Sequence, residues 1–455
     1  MYDTQEALLE RALLVGLERT GHDKWAVRDS LEELRELAES AGAEVVDLTT
    51  QKRDAPSAPT FIGRGKAEQL ANRCRETQAN TVIFDDDLSP AQARNLSEIL
   101  GKDVKVLDRT ELILDIFAQR ARTREGKIQV ELAQLQYMLP RLAGLWTHLS
   151  RQRGGIGSRG PGEQQLEVDR RRVMERISRL RRDLDEVRKN RRIERDGRQR
   201  LHWPLVSIIG YTNSGKSTLM NALTGANVLV EDKLFATLDP TTRKLRLPNN
   251  QNILLSDTVG FLRKLPHQLV ESFKATLEEV AEADLLLHVV DVSTPHAREQ
   301  IKAVEVVLHE IDAWGKPTVV ALNKIDRLDS RTGVTPVHDT APDEKDQDAD
   351  STLHGRDAHA TLDKFQRELD HAVPISAKNG ENLDALLHEI ANRLRGRRVN
   401  VTLSIPADKA KTIALVYRSG YVTGRTLDNG KVVLQAQIPK VLAGELTPYV
   451  MEEEP

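Results

Sequence analysis

Cysteine is almost missing from this sequence: Cys74 is the only one in 455 residues. An internal disulfide is therefore impossible, and so is a zinc centre built from several thiolates. The lone thiol reads as buried and inert. No apolar run reaches the length needed to span a bilayer, and Met1–Tyr2–Asp3 does not open a secretory signal. Net charge is also nearly absent, at -3, with 39% hydrophobic and 30% charged residues. These shortages describe an ordinary soluble chain, expected in the cytoplasm and at most loosely associated with a membrane. Its length allows two to four domains, each with its own core.

The small net charge hides a strong local excess. Between Arg151 and Arg200 there are seventeen Lys/Arg against nine Asp/Glu, a net of +8. Within this span, Arg151–Gln152–Arg153–Gly154–Gly155–Ile156–Gly157–Ser158–Arg159–Gly160–Pro161–Gly162 carries five glycines and three arginines. Such a loop cannot build a core and is expected to be mobile in the free protein. Helical patterns flank it. Glu111–Leu145 reads as one long helix with Leu132, Leu135, Met138, Leu139 and Leu142 on its apolar face, kinked or ended near Pro140. Gln164–Arg195 repeats apolar residues every three to four positions, so the two form an antiparallel hairpin. Charged helices often do no more than solvate themselves. A basic hairpin with an Arg/Gly tip nevertheless suits RNA phosphates, and Arg151, Arg153 and Arg159 are the candidate contacts.

Upstream, strand-like runs at Leu13–Leu17, Glu44–Leu48, Thr81–Phe84 and Val104–Leu107 alternate with helical patterns at Ala26–Ala41 and Pro90–Leu100. This alternation predicts a small α/β domain with a largely parallel sheet. Phe61–Ile62–Gly63–Arg64–Gly65–Lys66 is either a phosphate-holding basic loop or a turn opening a helix. Asp85–Asp86–Asp87 could hold a metal, but reads more readily as a solvated acidic loop.

The most informative stretch is Leu205–Ile209, a short β-branched run that breaks at Gly210 into a polar turn and then a helix from Lys216. Gly210–Tyr211–Thr212–Asn213–Ser214–Gly215–Lys216–Ser217 matches GxxxxGK[ST] in the strand–loop–helix context that a P-loop requires, rather than a plain glycine turn. Successive N–H groups converge on phosphate oxygens, the helix adds its positive end, Lys216 reaches the β- and γ-phosphates, and Ser217 completes a Mg²⁺ shell. Further strands, Ile253–Ser256, Leu285–Val290, Thr318–Leu322 and Val373–Ile375, predict a doubly wound parallel sheet with ligand loops at the strand C-termini. Asp257–Thr258–Val259–Gly260 follows one of them: Asp257 can hold Mg²⁺ through water, and the Gly260 N–H can sense a γ-phosphate. Asn323–Lys324–Ile325–Asp326 places a carboxylate that accepts both N1–H and N2–H₂ of guanine. Ser376–Ala377–Lys378 offers the Ala377 N–H to guanine O6. The substrate expected from these loops is GTP, with GDP as product. Phe261 stands where many GTPases carry a water-orienting Gln, so intrinsic turnover should be slow. Arg327–Ala360 is a polar stretch rich in Asp and His and almost without aromatics, read as a disordered insertion whose histidines are too irregularly spaced for a metal site. From Val399 onward an alternating strand, a short helix near Ala407–Leu415 and strand-like runs Gly420–Thr426 and Lys431–Ile438 make a small α+β module without a catalytic constellation. A docking or capping role is its default.

Taken together, the motifs at Gly210–Ser217 and Asp257–Phe261, the stretch Phe235–Ala236–Thr237–Leu238–Asp239 continuing into Pro240–Arg243, the Gly154–Glu163 loop, the Phe61–Lys66 loop and the helical hairpin resemble the HflX family of ribosome-associated, translation-factor-class GTPases. The resemblance covers nearly the whole chain. It implies four domains: residues 1–110 as an α/β domain, 111–200 as the hairpin, 201–396 as the GTPase domain with its insertion near 328–360, and 397–455 as the C-terminal module. It implies that Phe235–Asp239 touches GTP, that Thr237 ligates Mg²⁺ only when the γ-phosphate is present, with Thr241 and Thr242 as competitors, and that Lys216, Thr237 and Gly260 are the catalytic set. It further implies binding to the large ribosomal subunit and its rRNA near the peptidyl-transferase centre, separation of stalled ribosomes into subunits, particularly under heat stress, a monomer off the ribosome and no DNA partner. Other readings of the same residues are a GTPase of ribosome assembly or tRNA modification, and an ATP-dependent RNA remodeller using the N-terminal domain.

Overall fold

The computed structural model describes residues 10–19, 24–145, 161–199, 203–225, 234–235, 240–263, 277–329, 362–428 and 430–454. The chain divides into two compact units, one built mainly from residues before 189 and the other mainly from those after.

In the first unit, strands β1 (Arg11–Arg19), β2 (Glu44–Arg53), β3 (Thr81–Phe84) and β4 (Lys105–Asp108) form a four-stranded sheet in the order β2-β1-β3-β4. All its pairings are parallel. Helices α1 (Lys24–Ala41), α2 (Arg64–Thr77) and α3 (Pro90–Leu100) are the crossovers that parallel pairing demands. The start of α3 is written locally: Ser89 Oγ accepts from the Gln92 N–H at 3.3 Å, Gln92 Oε1 accepts from the Ser89 N–H at 2.9 Å, and Pro90 takes the first helical position. Leu13, Val15, Val82 and Phe84 meet Leu70, Ala71 and Cys74 in one core. Burial raises the Cys74 thiol to about 11, the chemistry of an inert buried sulfur.

Two expectations for this unit need correction. The long helix predicted over Glu111–Leu145 is two helices, α4 (Arg109–Arg120) and α5 (Arg124–Leu145). Ala121 leaves helical geometry at ψ 110, and Thr123 Oγ1 caps the new helix by accepting from the Gly126 N–H at 3.0 Å. Helix α5 then continues through Pro140, and the Arg141 guanidinium just beyond it is anchored on Asp108 at 3.0 Å. The loop Asp85–Asp87 is not simply solvated. Asp85 is buried and ion-paired with the buried Arg109 at 2.5 Å, and Thr110 Oγ1 donates to Asp87 at 2.5 Å. The Phe61–Lys66 segment is a turn leading into α2, with the Gly63 N–H donating to Gln51 Oε1 at 2.8 Å.

Asp108 ties the hairpin to the sheet. It caps α4 through the Glu111 N–H at 3.0 Å and accepts from the Leu88 N–H at 3.0 Å and the Tyr137 hydroxyl at 2.5 Å. Beside it, burial and then the Asp108 and Asp115 charges push Glu111 up to about 7 from its usual 4.5. A carboxyl raised in the folded state contributes stability at low pH that is lost as pH rises from about 4.5 to 7. Glu111→Gln should therefore stabilise the protein above pH 7 by about 2 kcal/mol, with the gain vanishing below about pH 5. Denaturant midpoints measured across this range check it; a gain independent of pH would rule out titration as the cause.

Helix α6 (Pro161–Gln199) packs Ile177, Leu180 and Leu184 on Ile128 and Leu132 of α5. The second unit holds a six-stranded sheet, order β10-β9-β8-β5-β7-β6, from β5 (Leu205–Gly210), β6 (Thr241–Arg246), β7 (Asn252–Asp257), β8 (Leu285–Asp291), β9 (Thr318–Asn323) and β10 (Ala372–Pro374). All pairings are parallel except β6 on β7, which puts Thr241 opposite Asp257 in a strand the periodicity did not announce. Val206, Ile208, Leu285, Leu287 and Val319 form its core with Leu386 and Ile390. Residues Asp326–Asp329 still form a helix, and residues 330–361, most of the expected insertion, lie outside the described residues. The C-terminal module is an antiparallel sheet, order β12-β13-β11-β14, from β11 (Arg398–Pro406), β12 (Tyr421–Asp428), β13 (Lys431–Pro439) and β14 (Val450–Glu454). With helices Ala410–Ser419 and Lys440–Glu445 it runs β-α-β-β-α-β, a split βαβ arrangement.

Candidate nucleotide site

The P-loop is shaped by backbone that side chains resist. Gly210 has φ +150, and a Cβ there would stand 2.3 Å from the Val289 carbonyl oxygen; Gly215 has φ +95 and would meet Asn323 Nδ2 at 2.3 Å. Asn213 is also left-handed, at φ 58. These angles turn β5 directly into helix α7 (Lys216–Thr224).

Within this loop several polar atoms are under-satisfied. Thr212 Oγ1 and Ser214 Oγ are buried without a hydrogen-bond partner. Lys216 is 7% exposed and spends one N–H on the Tyr211 carbonyl at 2.7 Å. Burial depresses its ammonium to about 8, against the opposing pull of Asp257. A buried cation in a loop with two unpaired buried hydroxyls is an arrangement that an anionic phosphate chain relieves. Ser217 Oγ donates to Asp257 Oδ2 at 2.8 Å, so the two groups expected around Mg²⁺ are already adjacent.

The Asp257–Gly260 segment docks on the P-loop as an extra rung of sheet. The Phe261 N–H donates to the Gly210 carbonyl at 3.1 Å, the Thr212 N–H donates to the Phe261 carbonyl at 2.8 Å, and the Arg263 N–H donates to the Tyr211 hydroxyl at 2.8 Å. Thr258 Oγ1 donates to the Ile208 carbonyl at 2.7 Å, and Val259 is buried. Phe261 itself is 2% exposed, so its ring belongs to the core.

Loops at the ends of β9 and β10 are laced to each other and to the P-loop. Asn323 is the keystone: its Nδ2 donates to the Ser214 carbonyl at 2.8 Å, and its Oδ1 accepts from the Ala377 N–H at 2.9 Å. Lys324 Nζ donates to the Asn213 carbonyl at 2.7 Å and pairs with Asp291 at 2.7 Å. Ser376 Oγ donates to Asp326 Oδ1 at 2.6 Å, and the Ile325 N–H donates to the Ile375 carbonyl at 3.3 Å. Lys378 is exposed beside them. Asp291 was not singled out from the sequence. Its position one residue past a buried run at the end of β8, next to the strand of Lys324, was the available signal. His288, on the same strand, is also new: burial, with Lys216 adding, pushes it down to about 4, so it is neutral at ordinary pH.

Not every expected residue joins this cluster. Phe235 lies in the first unit, its ring edge-on to Phe117 at 4.5 Å, with the neighbouring Leu234 N–H donating to Ser40 Oγ at 3.2 Å. Ala236, Thr237, Leu238 and Asp239 lie outside the described residues, as do Arg151, Arg153 and Arg159. Thr241 and Thr242 sit in β6, with Thr242 Oγ1 bonded to Ser256 Oγ at 3.5 Å.

A mostly parallel sheet with a P-loop after β5, Asp257 ending β7 and the Asn323–Asp326 loop after β9 has the layout of a P-loop GTPase. The sequence matches four family domains: GTP-binding GTPase N-terminal over residues 28–118, GTP-binding GTPase Middle Region over 120–198, 50S ribosome-binding GTPase over 205–324 and HflX C-terminal domain over 361–450. GTPase HflX of Caldanaerobacter subterraneus subsp. tengcongensis is 44% identical over 97% of this chain and 94% of its own length. GTPase HflX of Escherichia coli K12 is 42% identical over 97% and 96%. A GTP-binding protein of Sulfolobus solfataricus solved with GDP is 26% identical, covering 85% of this chain and 98% of its own, with a TM-score of 0.42. The chain belongs to the HflX family of GTPases, enzymes that hydrolyse GTP.

Proposed function

We propose that this GTPase is a switch that binds the large ribosomal subunit, separates stalled or stress-damaged ribosomes into subunits, and is released by hydrolysis. The observation that carries the reading is Phe261. Its ring is buried and its backbone pinned to the P-loop, so this position contributes nothing that could orient a water. A site with phosphate, metal and base groups in place but no positioning group at that position is one whose turnover a partner completes. The family's 50S ribosome-binding GTPase domain points to the large subunit and its rRNA as that partner. On this reading the protein works in the cytoplasm.

In this reading Gly210–Ser217 cradles the phosphates, Lys216 offsets charge on the β- and γ-oxygens, and the Gly260 N–H marks the γ-phosphate. Ser217, with Asp257 through water and Thr237, would hold Mg²⁺, which would supply charge neutralisation to the phosphate chain. Asn323 braces the base loop against the P-loop while Asp326 and Ala377 read guanine. Arg151, Arg153 and Arg159 would contact rRNA from the hairpin tip.

The test is GTP turnover with and without purified large subunits, at low and high salt. Stimulation of about 10³-fold or more, fading as salt rises, is the expected result. Equal rates with and without subunits would sink the proposal while leaving the GTPase intact.

A further inference from the structure

Asp291 is the last residue of β8 and stands opposite Asn323, the last residue of β9. Its two carboxylate oxygens have separate partners. Oδ1 accepts from the Ser293 N–H at 2.9 Å and from the Ser293 hydroxyl at 2.6 Å, a local turn that fixes the carboxylate against its own backbone. Oδ2 meets the Lys324 ammonium at 2.7 Å. The two side chains are only 14% and 13% exposed, so water and salt screen this pair less than an ordinary surface pair.

Lys324 is where the pair acts. Its backbone is left-handed, at φ 68, a conformation unfavourable for a residue with a Cβ and kept only where the surroundings hold it. The same ammonium donates to the Asn213 carbonyl of the P-loop at 2.7 Å, and Asn213 is itself left-handed at φ 58. One side chain therefore joins two strained turns, and Asp291 is the one carboxylate it pairs with among the described residues. The Arg327 N–H closes the turn on the Lys324 carbonyl at 3.0 Å, so Asp326 lies within it. Charge balance leads to the same residue. Burial, and after it the Lys324 charge, lower the Lys216 ammonium to about 8. Two cations thus share the phosphate loop, with Asp257 acting on Lys216 and Asp291 on Lys324.

We infer that Asp291 is a positioning residue for nucleotide specificity: it clamps Lys324, and through Lys324 holds the turn that presents Asp326 to the base. This rests on Asp326 as the guanine reader and is independent of the ribosome. Asp291 acts through Lys324 alone, on binding and not on phosphoryl transfer.

Inosine diphosphate makes the test selective, because it lacks the exocyclic amine and offers Asp326 only its N1–H. Affinities for GDP and IDP are read by competition against a fluorescent GDP, for D291N, K324G and D291N/K324G in the full chain. Asn keeps an acceptor for Ser293 and loses the ion pair, whereas Gly adopts positive φ without an anchor. D291N should cut the preference for GDP over IDP by about tenfold, with single-turnover hydrolysis at saturating GTP within about twofold of the parent. In the K324G background the same substitution should change the preference by less than about twofold. Ser293→Ala, a milder change, should lower it by about threefold. Equal losses of GDP and IDP in D291N would signal general damage to the site and overturn the clamp. So would an unchanged preference, or a D291N effect as large in K324G as in the parent. A parent that binds GDP and IDP alike removes the guanine reading of Asp326, and the clamp falls with it.

Discussion

Gly260→Ala should leave the protein folded and able to bind GDP, and lower single-turnover GTP hydrolysis by about 10³-fold. An added Cβ would stand 2.8 Å from Thr212 Cγ2, 2.9 Å from Thr212 Cα and 3.0 Å from Lys216 Nζ. The first two contacts are closer than carbon atoms tolerate, and one of them is backbone. Thr212 sits next to the left-handed turn at Asn213, and its N–H bond to the Phe261 carbonyl ties it to the crowded segment, so the strain falls on that bond. The segment carrying Gly260 must therefore move outward, taking its N–H away from the γ-phosphate and disturbing Lys216. GDP has no γ-phosphate and loses little. Rapid-quench hydrolysis and GDP titration separate the two effects. Turnover within about threefold of the parent would show that this N–H does not act on the transferred group.

The second large effect concerns the base. Asp326→Asn should weaken GTP by about 10⁴-fold and make xanthosine triphosphate the better ligand. One Asp326 oxygen accepts from the Ser376 hydroxyl at 2.6 Å, which fixes the carboxylate plane. Guanine presents two N–H donors; an amide answers one with an acceptor and faces the other with its own NH₂. Xanthine replaces the exocyclic amine with a carbonyl, which pairs with that NH₂. Competition of labelled GTP by each triphosphate gives the ratio directly, and unchanged preference for GTP would remove Asp326 from the base site.

The nucleotide loops were legible in the sequence because each is a short contiguous string whose chemistry depends on local backbone freedom and order. Gly210, Gly215, Lys216 and Ser217 declare a phosphate loop wherever a buried strand precedes them. The parallel sheet was legible for a similar reason, since buried strands carry continuous apolar runs such as Leu285–Val290. The antiparallel strand β6 escaped notice because Thr241–Arg246 lies at the sheet edge and is polar but for Leu245. The single long helix over Glu111–Leu145 failed on one residue: periodicity continues across Ala121, and only the cap supplied by Thr123 reveals the break.

The sequence by itself determined the kind of chemistry, a guanine nucleotide held by a P-loop, and the placement of a basic hairpin. Both are one-dimensional properties: motif spacing, and net charge along a segment. Tertiary structure decided the rest. It turned Phe261 into a core residue through a rung of backbone hydrogen bonds, paired Lys324 with Asp291 from a neighbouring strand, and made Asn323 a brace between two loops more than a hundred residues apart.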